Sequence, residues 1–553
     1  MGSERHLRKP LDGEMFHVVV IGGGINGVAI ARECALAGAR TLLLEQKDFA
    51  SGTTSRATRI IHGGLRYLEH GELDLVRESL QERERLLRER PHLVRSLHFV
   101  LALRRDAEHA LLRSGLAVRA GLWLYRRMAG RRPDSSSAST RELERMLDSG
   151  AHWNLFSYDD GQCEFPERLV AEWLTEAVQA GAVARNHTRV LEVERAYGRV
   201  SGVRARDLSS GQEFTVGAQQ VVNATGPWVD GVLGDSGITH PPLIGGVRGS
   251  HIVLPTFAGA PQAAIYSEAS DGRAVFVLPW NGMLLVGTTE VPDSRDPGRV
   301  RPEAEEVEYL LAAFNALLPS HRATRSDIIY SYAGVRPLPH VDDLELGAIT
   351  RRHLLYEHDL EGASGMLSIV GGKLTTAGSL ARQCARALKL SVPEPTGILV
   401  AAAPANGIEA TLCQWSRLVA AIAGISEASA AAMAEWHGRN ALCIAREAQR
   451  DELLRKTLCP HTEHIVAEAV NAVTREQAMS AADVLLRRVP VALGGCWSEE
   501  CSRSAVARVG AALAWGAARR AQELEALEVE RGAFLIRPDR TGPELLVPQS
   551  TAQ

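Results

Sequence analysis

The run HVVVIGGGINGVAIARECALAGARTLLLEQ, residues 17–46, constrains the fold more than any other part of this chain. Val18 to Ile21 is a short β-branched stretch, which predicts a strand buried on both faces. Gly22, Gly24 and Gly27 follow as GxGxxG, and apolar and small residues recur at helical spacing from Ile25 to Gly38. Thr41 to Leu44 is a second buried strand, ending at Glu45. Together these make a complete βαβ unit and imply an open parallel sheet. In a chain with 50 glycines the triplet alone is weak. The strand before it, the helix after it and an acid 18 positions beyond Gly27 make it specific. Bare backbone lets a pyrophosphate approach, the helix start offers unpaired N–H groups, and a carboxylate at the strand end accepts ribose hydroxyls. A dinucleotide binds here.

Two further segments bear on which dinucleotide. VVNATGPW (221–228) is a strand ending in small residues, with Ala224 and Gly226 at its close. IVGGKLTT (369–376) is a strand, then Gly371, Gly372, Lys373, Leu374 and Thr375 leading into a helical pattern. Each motif singly fits a structural turn as well as a ligand contact. Jointly, they suit a long ligand buried along its length, as FAD is. The segment GTTSRATRIIHGGLRYLEHGE (52–72) adds Thr53, Thr54, Ser55 and Thr58 ahead of His62, Gly63, Gly64, Leu65, Arg66 and Tyr67. Hydroxyls and bare backbone can hold phosphate and the flavin ring, while Arg66 and Tyr67 can point at a substrate. His62 stays open between a structural and a catalytic role.

Length and composition limit the alternatives. At 553 residues at least two domains are expected. With 45% hydrophobic and 23% charged residues the chain is globular rather than disordered. Sixty-two basic against 66 acidic residues leave a net charge of −4, so there is no whole-protein footprint for nucleic acid. Only five lysines occur among the basic residues, which makes Lys373 inside a motif conspicuous. The eight cysteines form no CxxC, and the closest pair, Cys496 and Cys501, has no partner at zinc or iron–sulfur spacing in the linear sequence, so no metal is expected. Neither a signal-peptide core nor an apolar run of membrane-spanning length is visible, and a reducing, cytoplasmic compartment is the default expectation.

Alternating stretches at Arg189–Val193, Arg199–Arg204 and Phe214–Val222 predict antiparallel strands, with more at 251–255, 274–278 and 284–288. Composition shifts through SVPEPTG and AAAPANG near 390–405, a plausible linker, and an Ala-rich helical pattern runs on to about 530. The fold class expected is α/β plus α. A discontinuous Rossmann-like FAD-binding domain over 15–395 interleaves with an antiparallel-sheet cap at about 95–160 and 240–340, and a helical domain spans 400–530.

IGGGINGVAIA, IIHGGLRYLEHGE, VVNATGPWV, RGSHIVLP, YAGVRPL, GGKLTT and EQAMSAADVLLRR occur in that order. This series resembles the FAD-dependent, aerobic, quinone-linked glycerol-3-phosphate dehydrogenases of the glycine/D-amino-acid oxidase fold, over about residues 15–515. The resemblance implies oxidation of sn-glycerol 3-phosphate to dihydroxyacetone phosphate, by hydride transfer from C2 to flavin N5, with electrons passed to a membrane quinone. It places FAD on Gly22, Gly24, Ile25, Asn26, Gly27, Glu45, Thr54, Ser55, His62, Gly63, Gly64, Leu65, Val190, Ala224, Gly226, Gly371, Gly372, Lys373, Leu374 and Thr375. Substrate falls to Arg66, Tyr67, His251, Arg336 and Lys373, of which His251, Arg336 and Lys373 are the catalytic candidates. The chemistry agrees: phosphate favours planar guanidinium forks, an imidazole can act as base toward the C2 hydroxyl, and a lysine can stabilise negative charge on reduced flavin or hold a substrate oxygen.

The chain departs from the family at three places. GGKLTT continues Ala377–Gly378 where Tyr-Arg is usual, FPERL (Phe165–Leu169) replaces DDARL, and Glu290 stands where the family has Asp. These bear on the substrate more than on flavin binding. Other readings are a same-fold enzyme acting on another 2-hydroxy acid or an amine, and an FAD-binding protein without turnover. Around Leu122 and Trp123 lie Arg119, Arg126, Arg127, Arg131 and Arg132. The pattern fits an interfacial helix on an anionic membrane or a core helix with a wet arginine face. The resemblance favours the first, hence peripheral attachment to the inner face of the cell membrane; a homodimer is possible. Arg487 and Arg488, after Asp483, can pair or cap locally.

Overall fold

Full burial on both faces explains the unbroken apolar run at Val18–Val20, each of them 0% exposed. In the computed structural model, which describes residues 9–65, 71–104, 115–129, 143–150, 152–341, 350–392 and 407–535, the strand Met15–Ile21 lies at the middle of a sheet. It runs parallel to Thr41–Leu44 on one side and Glu213–Asn223 on the other, with Ile21 opposite Leu44 and Asn223. Parallel strands Val183–Arg185 and Met366–Val370 extend it, and Leu354–Glu357 closes an edge antiparallel. The helix Ile25–Leu36 packs one face together with Pro166–Gln179 and Ala377–Ala387.

The strand Glu213–Asn223 corrects a reading from periodicity. It pairs antiparallel with Arg199–Asp207, as alternation predicts, but its second half belongs to the parallel sheet. Val221, Val222 and Asn223 are buried on both faces, so alternation ends where the sheets merge.

A second, mixed sheet carries Arg95–Arg104, Trp153–Gln162, Ile244–Pro255, Ala264–Glu268, Ala274–Trp280, Met283–Gly287 and Tyr330–Pro339. One long ribbon pairs Ile244–Pro255 with Tyr330–Pro339 in unbroken antiparallel register, so His251 faces Tyr332, Gly249 faces Gly334 and Val247 faces Arg336. Side chains alternate along a strand, so His251, Gly249, Tyr332, Gly334 and Arg336 share one face.

Among the described residues from 407 to 535 there are helices and turns and no strand, the longest helices being Ile408–Ala423, Ala517–Arg531 and Glu499–Ala512. The predicted linker lies mostly outside the described residues. One apolar core runs from Leu101, Leu285 and Tyr332 of the second sheet to Leu485 and Val509 of the helices. Arg487 and Arg488 pair mainly across this junction rather than locally. Asp48 accepts from Arg487 Nε at 2.5 Å and from both terminal nitrogens of Arg488 at 2.9 Å, and only Arg487 also reaches Asp483, at 3.0 Å. Arg168, within FPERL, donates to Glu476 at 2.7 Å and to the Arg488 carbonyl at 3.1 Å. Of the departing residues, Phe165 packs on Trp436 of the helical region, ring centroids 5.1 Å apart, and Glu167 pairs with buried Arg59 at 3.2 Å, so the departure sits on a structural joint.

Helix Gly115–Ala129 buries Leu122 and Tyr125 and leaves Trp123 64% exposed, with Arg119 and Arg127 exposed beside it. Arg131, Arg132 and the Arg126 side chain lie outside the described residues. No helix among the described residues is long and apolar enough to cross a membrane.

Candidate active site

The glycine turn after Met15–Ile21 is fixed by steric necessity. Gly22 has φ +102°, and a Cβ there would strike the Ala224 carbonyl oxygen at 2.7 Å. A Cβ on Gly27 would sit 1.8 Å from the Gly22 oxygen, so the helix can start this close only without one. At Gly24 an added Cβ would meet only Thr54 Oγ1, at 3.4 Å. Glu45 closes the turn, accepting from the Gly23 N–H at 2.6 Å and the Lys47 N–H at 2.8 Å. Thr54 Oγ1 accepts from the Ile25 N–H at 3.0 Å, and Ser55 Oγ donates to the Gly52 carbonyl at 3.1 Å. Val190 is a core residue two positions after Thr188, whose N–H donates to the Glu45 carbonyl.

Two more backbone segments reach the same strand ends. Ala224 donates its N–H to the Ile21 carbonyl at 2.8 Å, and Gly226 has φ +62°. Gly371 and Gly372 have φ +79° and +101°, and a Cβ on Gly372 would strike Asn26 Nδ2 at 2.4 Å. Asn26 Oδ1 is buried with no hydrogen-bond partner among the described residues. Three glycine-bearing turns with an unmet acceptor among them fit a dinucleotide such as FAD.

Behind the turn, the His62 N–H donates to Thr375 Oγ1 at 3.1 Å and the Gly63 N–H to the Tyr125 hydroxyl at 2.8 Å. Tyr125 in turn donates to Asp160, which also binds Arg83 at 2.5 Å. Gly64 takes φ +78°, and Leu65 is half-buried. Burial, helped by Lys373, Arg83 and Arg351, holds the His62 imidazole down at about 3. Lys373 donates to Ser79 Oγ at 3.1 Å; burial draws its ammonium down to about 7, against the pull of Glu78 and Glu72. It sits four residues before the helix, which begins at Ala377. Leu374 and Thr375 follow in a turn, Thr375 buried.

The second sheet supplies the other wall. His251 is 2% exposed and stacks on Tyr332, centroids 4.9 Å apart and planes at 23°. Its Nε2 lies 3.0 Å from Thr58 Oγ1, and its Nδ1 is buried with no hydrogen-bond partner among the described residues. Burial, together with Arg336 and Arg59, lowers the imidazole to about 3, so it is neutral near pH 7. A Cβ on Gly249 would meet Arg336 Nη2 at 2.6 Å, so this glycine makes room for the guanidinium. Arg336 donates to Thr288 Oγ1 at 3.0 Å and lies 3.6 Å from Glu290, which binds Arg351 at 2.8 Å. Glu290, the Asp-to-Glu departure, thus bridges two arginines.

His251, Arg336 and Tyr332 come together on one ribbon face, while His62, Lys373 and Thr375 gather beside the glycine turns. Arg66 and Tyr67 lie outside the described residues. Arg56, Arg351 and Phe534 escaped the sequence reading. Arg56 is packed under Gly334, where a Cβ would strike it at 2.5 Å, and its guanidinium lies 3.8 Å from the Phe534 ring centroid. No local signal joins a residue at 56 to one at 534.

Residues 17–378 match the family described as FAD dependent oxidoreductase, and residues 367–520 match the C-terminal domain of alpha-glycerophosphate oxidase. A glycerol-3-phosphate dehydrogenase from Synechocystis sp. is 41% identical over 65% of this chain and 68% of its own. The Escherichia coli aerobic glycerol-3-phosphate dehydrogenase is 37% identical over 69% and 74%. The chain belongs to the FAD-dependent glycerol-3-phosphate dehydrogenase family. Its cofactor is FAD. The crystal structure of a member of this family from Bacillus halodurans, complexed with FAD, superposes with a TM-score of 0.74 at 25% identity, covering 96% of this chain and 97% of that one. A family relative from Brucella abortus, 34% identical over 72% of this chain and 78% of its own, is a D-erythritol 1-phosphate dehydrogenase.

Proposed function

We propose that the protein oxidises the C2 hydroxyl of sn-glycerol 3-phosphate, giving dihydroxyacetone phosphate, and passes the electrons to a membrane quinone. The observation that carries the substrate reading is the ribbon face on which neutral His251 and the Arg336 cation stand four residue pairs apart. FAD, held by Gly22–Gly27, Glu45 and Gly371–Gly372, supplies the two-electron acceptor. Arg336 binds the phosphate, with Arg351 sharing its Glu290 counter-ion. Arg336 is also one of the charges that keep His251 unprotonated. A phosphate dianion there cancels that repulsion, so substrate binding raises the proton affinity of the base as the C2 hydroxyl loses its proton. His251 Nδ1 takes that proton, while Nε2–H donates to Thr58. Lys373 balances negative charge near the glycine turns.

The membrane reading rests on helix Gly115–Ala129, which exposes Trp123 with Arg119 and Arg127 while Tyr125 on its other side holds the Gly63 loop. An aromatic ring flanked by cations suits an anionic bilayer surface.

Anaerobic addition of sn-glycerol 3-phosphate to the flavoprotein tests the reaction: the oxidised flavin absorbance bleaches. A flavin that bleaches only with D-erythritol 1-phosphate moves the protein to a longer polyol phosphate. Sedimentation with anionic vesicles tests the surface, because Trp123→Glu with Arg127→Ser releases the protein while flavin reduction survives.

A further inference from the structure

The helical region brings together thiols and an imidazole that are scattered along the sequence. Cys459 and His461 lie in the turn between Thr457 and Ile465, whose backbones bridge antiparallel. Cys501 is the third residue of helix Glu499–Ala512, and its N–H is capped by Ser498 Oγ at 3.3 Å. One ligand-type atom from each of Cys459, His461 and Cys501 lies within 4.8 Å of the other two. His461 Nδ1 is 3.3 Å from Cys501 Sγ. Cys496 adds a third sulfur at the rim, 3.7 Å from the His461 carbonyl oxygen, and its own carbonyl lies 3.9 Å from Cys501 Sγ.

We propose that Cys459, His461, Cys496 and Cys501 bind one zinc ion in a tetrahedral structural site. Zinc–sulfur bonds of about 2.3 Å and zinc–nitrogen bonds of about 2.0 Å put tetrahedral ligands roughly 3.5 to 3.8 Å apart, so three of the four donors already cluster at nearly the required spacing. Three thiolates and an imidazole select a thiophilic ion, and zinc in a closed Cys3His set has no open position for chemistry. Each thiol loses its proton on binding. Ser498 Oγ, 3.5 Å from Cys501 Sγ, donates to that sulfur from outside the set. The helix N-terminus favours the thiolate at Cys501. Cys459 and Cys501 are 1% and 0% exposed, whereas His461 and Cys496 face solvent, so the ion enters from outside and seals a cluster that is otherwise core.

The other grouping of possible ligands among the described residues, Asp48, His187 and Asp483, is a different case. Its charge is already met by Arg487 and Arg488.

The cysteine site has a structural consequence for the active-site wall. The loop that ends at Cys496 is the one the second sheet touches: Tyr330 donates to the Gly494 carbonyl at 2.7 Å and Asn281 to the Leu493 carbonyl at 3.1 Å. Tyr330 lies two residues from Tyr332, the ring stacked on His251. Zinc would pin the 459–465 turn and the 493–501 loop as one body against that strand.

Metal analysis of the purified, FAD-loaded full chain decides the proposal. We expect about one zinc per chain after gel filtration in a weak chelator. Replacement by cobalt should give the intense ligand-field bands of a tetrahedral thiolate site. Cys501→Ser should lose the metal and lower the melting temperature by several degrees while the flavin still bleaches with substrate. His461→Ala, an exposed position, provides the same loss of metal if the buried variant fails to fold. A wild-type chain free of zinc that gives no cobalt bands overturns the proposal. So does an intact mass lighter by two hydrogens with no metal, which marks a disulfide in the cluster, or cobalt bands unchanged in both variants.

Discussion

His251 and Tyr332 are directly opposed across two antiparallel strands, and their rings stack 4.9 Å apart. Gly287 backs the imidazole on the neighbouring strand, where an added Cβ would meet His251 Cδ2 at 2.2 Å. The ring is thus clamped between a tyrosine and a bare backbone. Gly287→Ala should push it off Thr58, lowering kcat for flavin reduction by about 10²-fold, the low end of a misplaced general base. The FAD content should be unchanged. Stopped-flow reduction of the bound flavin reads this out.

Arg336→Lys keeps the charge and removes the fork that reaches Thr288 and that the proposed reaction sets on the phosphate. Loss of one charge-assisted hydrogen bond, about 1.5–3 kcal/mol, should lower kcat/KM about 10- to 100-fold, mainly through KM. An unchanged KM would remove Arg336 from the phosphate site.

Gly24→Val separates folding from flavin binding. The protein itself offers only Thr54 Oγ1 near the new side chain, and the backbone at Gly24 has φ −72°, so the chain should fold. The valine fills the space a pyrophosphate needs, and the purified variant should be colourless with a native circular dichroism spectrum.

Asp48→Asn leaves Arg487 and Arg488 buried without their shared carboxylate. Breaking one side of such a buried pair costs about 3–5 kcal/mol. Urea unfolding should show a lowered midpoint, and an unchanged one would mean that Glu530 and Asp483 suffice for Arg487.

Stability should fall as pH drops below about 6.5. His62 and His251 are held at about 3 when folded, whereas an unfolded imidazole titrates near 6.5. Between those values the unfolded chain binds protons that the folded chain refuses, so unfolding becomes easier toward acid. His187, raised by its bond to Asp483, opposes this in part. Urea denaturation at pH 7.5 and 5.5 measures the slope. His251→Asn should flatten it, and an equal slope in the variant would exclude His251 as a source.

The parallel unit at 17–46 was legible because its evidence is local. Strand, glycine turn, helix and acid follow one another within 30 residues, and the periods differ enough to be told apart. His251, Arg336 and Lys373 stood out for the same kind of reason, each inside a short motif. Their arrangement was not legible. That His251 faces Tyr332, and that Gly249 and Gly334 clear space for Arg336 and Arg56, follows from a strand register set across some 80 residues.

What the sequence alone determined is the βαβ unit, the glycine turns and the identity of the polar side chains available for chemistry. Tertiary structure decided which of them meet. The sequence assigns no partner to Arg168 and offers Arg487 and Arg488 a local pair or cap, yet the three join the helices to the flavin half through Glu476 and Asp48. Cys459, His461 and Cys501 have no metal-binding spacing, yet they form one cluster with Cys496 at its rim. The physical reason is common to both. A side chain's partner is chosen by the packing of whole elements, and burial then makes each charge or thiol depend on a neighbour that no window of sequence contains.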